Sequence, residues 1–566
     1  MRGFGRGFGR GLSAWEAASV AVPVEPTRAQ GLGAVLDWPL WITPAIFERS
    51  RHPDRQIVAY ATDCILEYRY TLAQRSTQAR GAVMFDIFHI SKLACDEPFC
   101  PVPPSPKAMS RLYARYLELR EARRIPESTT FEQYYWIWRS RRRGQKFVGL
   151  DDGATRQAPS ATAQKITRPT KQLKGVIRTI VLLADFPDRP HDPNQTAGVY
   201  EQMLFSDQGK FPTGSMREYY RLVSCYDPAK GTGIDVQGEV KGWFRLPNPL
   251  SFYADGNSGM GDSFPRNAQG MVRDTVEAAL KDGVDFTPYD ALGEHVVTAL
   301  FVIHAGAGAE ESTSPDDIWS HKWVIPNGVK VGPNLSVQTY LTVPEDCAVG
   351  VCAHEWGHLA ARWADFYDTG RIQSTQSNGL GNYCLMASGS WGNHGLTPTF
   401  PNAMLRMFHG WIAPTVVEKT TPNIQLKPAI DEGNRKQAAV FIRNAKTMKD
   451  GQYIMVEYRR RGGQDAFLPD EGIAVYVVDE AIDNVNDESR LAIELMQADG
   501  EHDLSKILNQ GNRGDSDDLY DGVTSTDLGK ATNPPLLLPG GKNSGVEIRV
   551  RGKAGDSSMT IDVTIS

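Results

Sequence analysis

Apolar residues fall into two regimes along the chain. From residue 175 to about 414, strand-sized apolar runs alternate with stretches of helical period. Beyond Pro414 the runs become short, alternating or apolar, and separated by turn residues. GVIRTIVLLADFPD (175–188) predicts a buried β-branched strand that leaves its sheet into a turn, and 234–247 and 296–308 predict further strands. GSMREYYRLVS (214–224) predicts a helix starting near Ser215, with Glu218 three positions on to complete a capping box. Six runs after Pro414 (438–444, 453–460, 472–480, 491–499, 546–552 and 559–566) predict a β-rich, sandwich-like C-terminal domain.

The N-terminal part reads differently. Residues 35–95 carry no usable motif, and PFCPVPPSP (98–106) is a proline-rich hinge with extended backbone. Leu112, Tyr113, Tyr116 and Leu119 then recur at helical spacing. A second helical piece follows Pro126, and a basic run occupies Arg139 to Arg143. The aromatic stripe is expected to be core, and the basic run a solvated or processing-exposed stretch. Residues 149–172 are polar and aperiodic and read as a linker. The expected organisation is an unassigned extension over 1–97, a helical propeptide-like segment and linker over 98–165, a catalytic domain over 166–414 and the β-rich domain over 415–566. The fold class is α+β.

Composition changes this picture little. The 566 residues carry a formal net charge of −6 and are 41% hydrophobic, which gives no general pull toward nucleic acid or anionic membrane. No apolar run reaches the 18 or so residues of a membrane span. The Arg-rich first residues lead into a weak apolar patch broken by Glu16, a poor signal-peptide core. The seven cysteines are too few for a disulfide framework; Cys95/Cys100 and Cys347/Cys352 are close in sequence and are either bridges or thiols.

The candidate chemistry lies in VCAHEWGHLAARWADFYDTG (351–370). His354 and His358, four apart in a helix, project from one face about 6 Å apart along the axis, so two imidazoles can close on one metal ion. Glu355 stands beside the first of them, in reach of a metal-activated water as general base. Other signatures fail. Glu311 stands where a dinucleotide loop after Gly306 and Gly308 needs its third glycine, Ser388 replaces the first glycine of a nucleophile elbow, and GGKNSG near Gly541 lacks phosphate-loop spacing. His321 reads as structural.

These residues sit among others that point one way. ADFPD (184–188), GSMREYY (214–220), VIHAGAG (302–308), IWSHKW (318–323), HEWGH (354–358), DFYD (365–368), LMASGSWG (385–392) and HGW (409–411) occur in the order and approximate spacing of the immune inhibitor A-like metallopeptidases, family M6, which the chain resembles over about 175–566. The resemblance implies a zincin-type catalytic domain with a mixed sheet and an HExxH active-site helix, one catalytic Zn2+ and Met386 as an apolar floor beneath it. It also implies calcium ions that stabilise loops, an N-terminal propeptide and secretion. The acidic stretches 499–503 and 514–522 are the candidate calcium loops, or simply solvated acidic turns.

The third zinc ligand is where the chain departs from that pattern. The family's H-E-x-x-H-x-x-G-x-x-D is here H-E-W-G-H-L-A-A-R-W-A-D, without the glycine and with Asp365 one residue late. In a straight helix Asp365 would lie about 10 Å beyond His358, and Ala-Ala-Arg favours continuing the helix. Matching DFYD to the family block makes Asp365 the metal ligand; Asp368, His394 or a water are the alternatives. The expected function is a zinc endopeptidase acting on protein or peptide substrates, a monomer with no nucleic-acid partner and no membrane span. The alternative is a catalytically silent metal-binding module for proteins or glycans.

Overall fold

The computed structural model describes residues 100–140, 168–169, 171–211, 213–367, 377–482, 491–506 and 510–566. The chain divides into two units, Met1–Met84 and Phe85–Ser566, and all described residues belong to the second. The expectations for residues 1–97, for Arg141 to Arg143, for most of the linker and for Asp368 lie outside the described residues.

A six-stranded mixed sheet organises the part of the chain before residue 345. Its strands are β1 (Cys100–Pro101), β2 (Gly175–Asp185), β3 (Ile234–Arg245), β4 (Leu300–His304), β5 (His321–Gly332) and β6 (Leu335–Pro344), in the spatial order β1-β5-β6-β4-β2-β3. β3, β2, β4 and β6 run parallel, whereas β5 is antiparallel to β6 and β1 is antiparallel to β5. β2 is buried continuously from Thr179 to Asp185, as a central parallel strand covered on both faces should be. β5 and β6 carry no clean strand signal in the sequence, because Pro326 and Gly328 interrupt the first and neither alternates cleanly.

Six helices matter here: α1 (Pro106–Glu121), α2 (Phe131–Ser140), α3 (Met216–Val223), α4 (Ala268–Lys281), α5 (Val349–Leu359) and α6 (Ala403–Phe408). α3 begins at Ser215 with the capping box that its sequence predicts: Ser215 accepts from the Glu218 N–H at 3.1 Å, and Glu218 accepts from the Ser215 N–H at 2.8 Å. α4 packs on β5, and α5 lies on β6 with all eleven of its residues buried. Trp356 anchors α5: its fully buried ring donates from Nε1 to Thr179 Oγ1 of β2 at 3.0 Å. Deleting such a ring typically costs about 3–5 kcal/mol.

α1 and α2 form a small aromatic core of Leu112, Tyr116, Phe131 and Tyr135, while Tyr113 of the predicted stripe stays 42% exposed. The basic run starts differently from the sequence expectation. Arg139 is buried, donates to the Tyr135 hydroxyl at 3.1 Å and lies over the Trp319 ring, because its guanidinium stacks between two aromatic surfaces instead of facing water.

After residue 414 a five-stranded sheet runs Ile493–Leu495, Gly472–Asp479, Gln452–Arg459, Ala439–Ile442 and Thr415–Val417. A four-stranded sheet runs Asp527–Leu528, Val546–Arg551, Met559–Ile565 and Thr421–Leu426. Both contribute to one apolar cluster that includes Val456, Val475, Ile548 and Ile561. The other face of the first sheet supplies Met455 and Tyr476 to the cluster that holds α5.

Candidate metal centre

α5 carries His354, Glu355 and His358, all fully buried. It stops at Leu359, against the helix preference of Ala360, Ala361 and Arg362. Arg362 adopts φ 57°, and the Trp363 N–H donates to the Gly357 carbonyl at 3.2 Å. The left-handed residue thus stands one position later than the family glycine, and the chain doubles back one residue later, which accommodates the late aspartate. An ion pair from Arg362 to Glu294 holds the turn from outside.

Left-handed backbone costs an L-residue roughly 1–2 kcal/mol. Arg362→Gly is therefore expected to stay near wild-type stability, its backbone gain offsetting the lost ion pair. Arg362→Val should lose about 1–2 kcal/mol in chemical denaturation, because a β-branched residue tolerates this region worst.

The reversal sets Asp365 Oδ1 at 3.0 Å from His358 Nε2 and 3.2 Å from His354 Nε2, and the two Nε2 atoms lie 3.0 Å apart. The other ring nitrogens fix the tautomers. His354 Nδ1 is 2.8 Å from the Leu385 carbonyl and His358 Nδ1 is 2.6 Å from the Trp363 carbonyl. A carbonyl only accepts, so both Nδ1 atoms carry the hydrogen and both neutral Nε2 atoms present lone pairs. Two imidazole lone pairs and a carboxylate oxygen then converge without room for a hydrogen on each. Tetrahedral bonds of about 2.0–2.1 Å place ligands about 3.3 Å apart. The donor set fits a divalent metal.

Electrostatics agree. Burial raises the Asp365 carboxyl, but positive charge on His358 and His354 and hydrogen bonds from both, standing where a cation would stand, outweigh it and hold the carboxyl well below the usual carboxylate range. Burial lowers His354. Burial first, and then the Asp365 and Glu310 carboxylates, push Glu355 well above its ordinary value; a cation among the three donors would pull it back. Neither oxygen of Glu355 has a hydrogen-bond partner among the described residues, although both are buried. Such a carboxylate is costly without a ligand to serve. Glu310, which accepts from the Ser320 N–H and hydroxyl, is itself pushed up to about 7 by burial.

Leu385, Met386 and Gly357 lie against one another beside the two histidines. The Met386 carbonyl accepts from the Phe366 N–H at 2.7 Å, so one short segment orients His354 through Leu385 and Asp365 through Met386. A Cβ on Gly357 would meet Trp363 at 2.9 Å and the Met386 sulfur at 3.0 Å, which explains a glycine inside this helix. Tyr220 of α3 donates to the Ala353 carbonyl at 2.6 Å and braces the helix from behind.

Other candidates lie elsewhere. His321 is held by the Trp319 carbonyl and the Tyr340 hydroxyl. His394 is exposed in a turn. The Cys347 and Cys352 sulfurs are 3.6 Å apart as thiols. Two features escaped sequence reading: the left-handed Arg362, and Cys100, whose sulfur lies within 4.8 Å of ligand atoms of His358 and Asp365.

Comparison with known proteins addresses the same stretch. Residues 172–409 match the model of the immune inhibitor A peptidase M6 catalytic domain. Immune inhibitor A of Bacillus thuringiensis subsp. alesti is 29% identical over 283 residues, which cover 41% of this chain and 40% of that protein. The pre-pro-metalloprotease PrtV of Vibrio cholerae serotype O1 (strain M66-2) is 28% identical over 283 residues, covering 41% of this chain and 29% of that protein. The matched part therefore spans well under half of either relative. Over residues 172–409, which enclose α5 and the turn to Asp365, the chain is similar to the immune inhibitor A peptidase M6 catalytic domain.

Proposed function

We propose that the protein is a zinc-dependent endopeptidase of zincin type that hydrolyses peptide bonds of protein substrates. The observation that carries this reading is the convergence of His354 Nε2, His358 Nε2 and Asp365 Oδ1 within 3.0–3.2 Å of one another, with a neighbouring buried Glu355 carboxylate that no hydrogen-bond donor among the described residues engages. His354, His358 and Asp365 would hold the zinc, which when bound supplies Lewis-acid polarisation of the scissile carbonyl and acidifies the attacking water.

The rest is done by side chains. Glu355 accepts the proton of the attacking water and returns it to the leaving amine, so a single carboxylate serves as base and then acid. The Leu385 and Trp363 carbonyls keep both imidazoles in the tautomer that donates through Nε2. Met386 and Trp363 give the site an apolar floor and wall, which strengthens charge interactions inside it.

The division into a catalytic part over 166–414 and a sandwich-like β part over 415–566 belongs to the same proposal, as do secretion and a monomeric state. A calcium site at Asp499, Asp515 and Asp518, whose ligand atoms gather within 4.8 Å, also belongs to it. Among the described residues no helix is long and apolar enough to cross a membrane.

Metal analysis tests the centre. The full chain is expected to bind a single equivalent of zinc, and Asp365→Ala to bind it at least about 10–100-fold more weakly, since even outer-shell changes cost that much. Casein hydrolysis by residues 166–566 should vanish with a chelator and return with zinc. Unchanged zinc affinity in Asp365→Ala would remove Asp365 from the ligand set, and hydrolysis that survives chelation would remove the metal from the reaction.

A further inference from the structure

The segment preceding α1 lies along the sheet edge beside the metal centre, and its contacts are those of a captured peptide. β1 pairs antiparallel with β5, with Cys100 opposite Lys322 and Pro101 opposite His321. The Val102 N–H continues the ladder to the Ser320 carbonyl at 3.1 Å. Four successive carbonyls are each received by a donor. Pro101 accepts from the Tyr367 hydroxyl, Val102 from Trp319 Nε1 at 2.9 Å, Pro103 from Trp391 Nε1 at 3.0 Å and Pro104 from Arg513 at 3.1 Å.

Residues 100–105 are buried throughout. Strand addition along a sheet edge, with main-chain hydrogen bonds at each residue, is a general mode by which proteins hold extended peptides. Pro101, Pro103 and Pro104 lack the N–H that would otherwise need a partner and stiffen the segment in an extended form.

At the head of this segment Cys100 is fully buried, and its sulfur lies within 4.8 Å of the ligand atoms of both His358 and Asp365. A thiol at this position is a soft donor, suited to zinc at about 2.3 Å. We infer that Cys100 is the fourth ligand of the metal centre and that residues 100–105 fill the substrate cleft, so that the chain is latent while this segment is seated. The inference rests on the proposed metal site of His354, His358 and Asp365. On binding, the sulfur loses its proton to solvent and occupies the position that an attacking water needs, while the clamped carbonyls exclude a substrate strand from β5. A catalytic site needs that position open, and a closed four-ligand site is a structural one.

The same donors also suggest how a substrate is held. Tyr367, Trp319 and Trp391 are positioning residues for an extended peptide backbone and make no use of its side chains.

Cobalt substitution tests the ligand directly. The full chain loaded with Co2+ is expected to show a near-ultraviolet sulfur-to-cobalt charge-transfer band that is lost in Cys100→Ser and retained in Cys347→Ser. A chain that binds one equivalent of Co2+ without that band, or a band that persists in Cys100→Ser, overturns the assignment.

Hydrolysis tests latency separately. If the seated segment occupies about 90% of molecules or more, Cys100→Ala in the full chain raises peptide hydrolysis about tenfold or more. Equal, measurable hydrolysis by wild type and Cys100→Ala overturns latency. A band that depends on Cys100 with no hydrolysis from any form leaves the ligand assignment standing and counts against the peptidase reading instead.

Discussion

Glu355→Gln is expected to abolish nearly all hydrolysis by residues 166–566 and by full-length Cys100→Ala, lowering kcat about 10²–10⁴-fold while zinc stays bound. The side chain sits next to His354 in sequence but takes no part in the three-donor cluster, and both of its oxygens are buried without a hydrogen-bond partner among the described residues. The amide is nearly isosteric, so no cavity forms. It also removes a carboxyl whose charged form burial, Asp365 and Glu310 all disfavour.

Loss of activity should therefore come with unchanged zinc content and a Tm no lower than that of the parent. The KM should move little, because the proton transfer is made only in the transition state. Retention of more than about a tenth of the parent kcat would place the general base elsewhere.

The second large effect is on stability, and it comes from outside residues 172–409. Arg459, in the strand Gln452–Arg459, is fully buried and forms a bidentate pair with Asp465 at 2.8 and 2.9 Å. Its remaining nitrogen donates to the Tyr383 carbonyl at 2.7 Å, and Asp465 also accepts from the Phe400 N–H at 2.9 Å. Phe400 in turn accepts from the Leu385 N–H at 3.3 Å, and the Leu385 carbonyl is the partner of His354 Nδ1. A single ion pair in the C-terminal part thus ties down the segment that orients His354.

Removing one partner of such a pair leaves the other charge buried and typically costs 3–5 kcal/mol. Asp465→Ala is expected to lose about that much in chemical denaturation and to weaken zinc binding at a site it does not touch. A loss below about 1 kcal/mol would show that Glu457, whose Oε1 lies 3.5 Å from Arg459, suffices alone.

What could be read locally was what local physics controls. The four-residue spacing of His354 and His358 on one helix face follows from the helical period, and the Ser215–Glu218 box from the orphan amides of a helix start. The runs 438–444, 453–460, 472–480, 546–552 and 559–566 lie on strands, because alternation and flanking turn residues are short-range signals.

Other features needed partners distant in sequence. β5 reads as broken at Pro326 and Gly328, and only β6 on one side and β1 on the other make it a strand. Arg139 reads as a solvent-facing charge until Trp319, far along the chain, covers it.

The aspartate shows the division most plainly. By sequence alone, Ala360, Ala361 and Arg362 continue a helix and carry Asp365 about 10 Å away from His358. In the folded chain the Met386 carbonyl takes the Phe366 N–H, Glu294 takes the Arg362 guanidinium, and the Gly357 carbonyl takes the Trp363 N–H. Helix propensities differ by tenths of a kcal/mol per residue, and two tertiary contacts together with one local turn bond outweigh them. The sequence by itself determined that His354 and His358 share a helix face, with Glu355 beside them. Tertiary structure alone brought Asp365 to both histidines and the Cys100 sulfur near His358 and Asp365, because a turn and a sheet edge make those approaches and depend on residues far away along the chain.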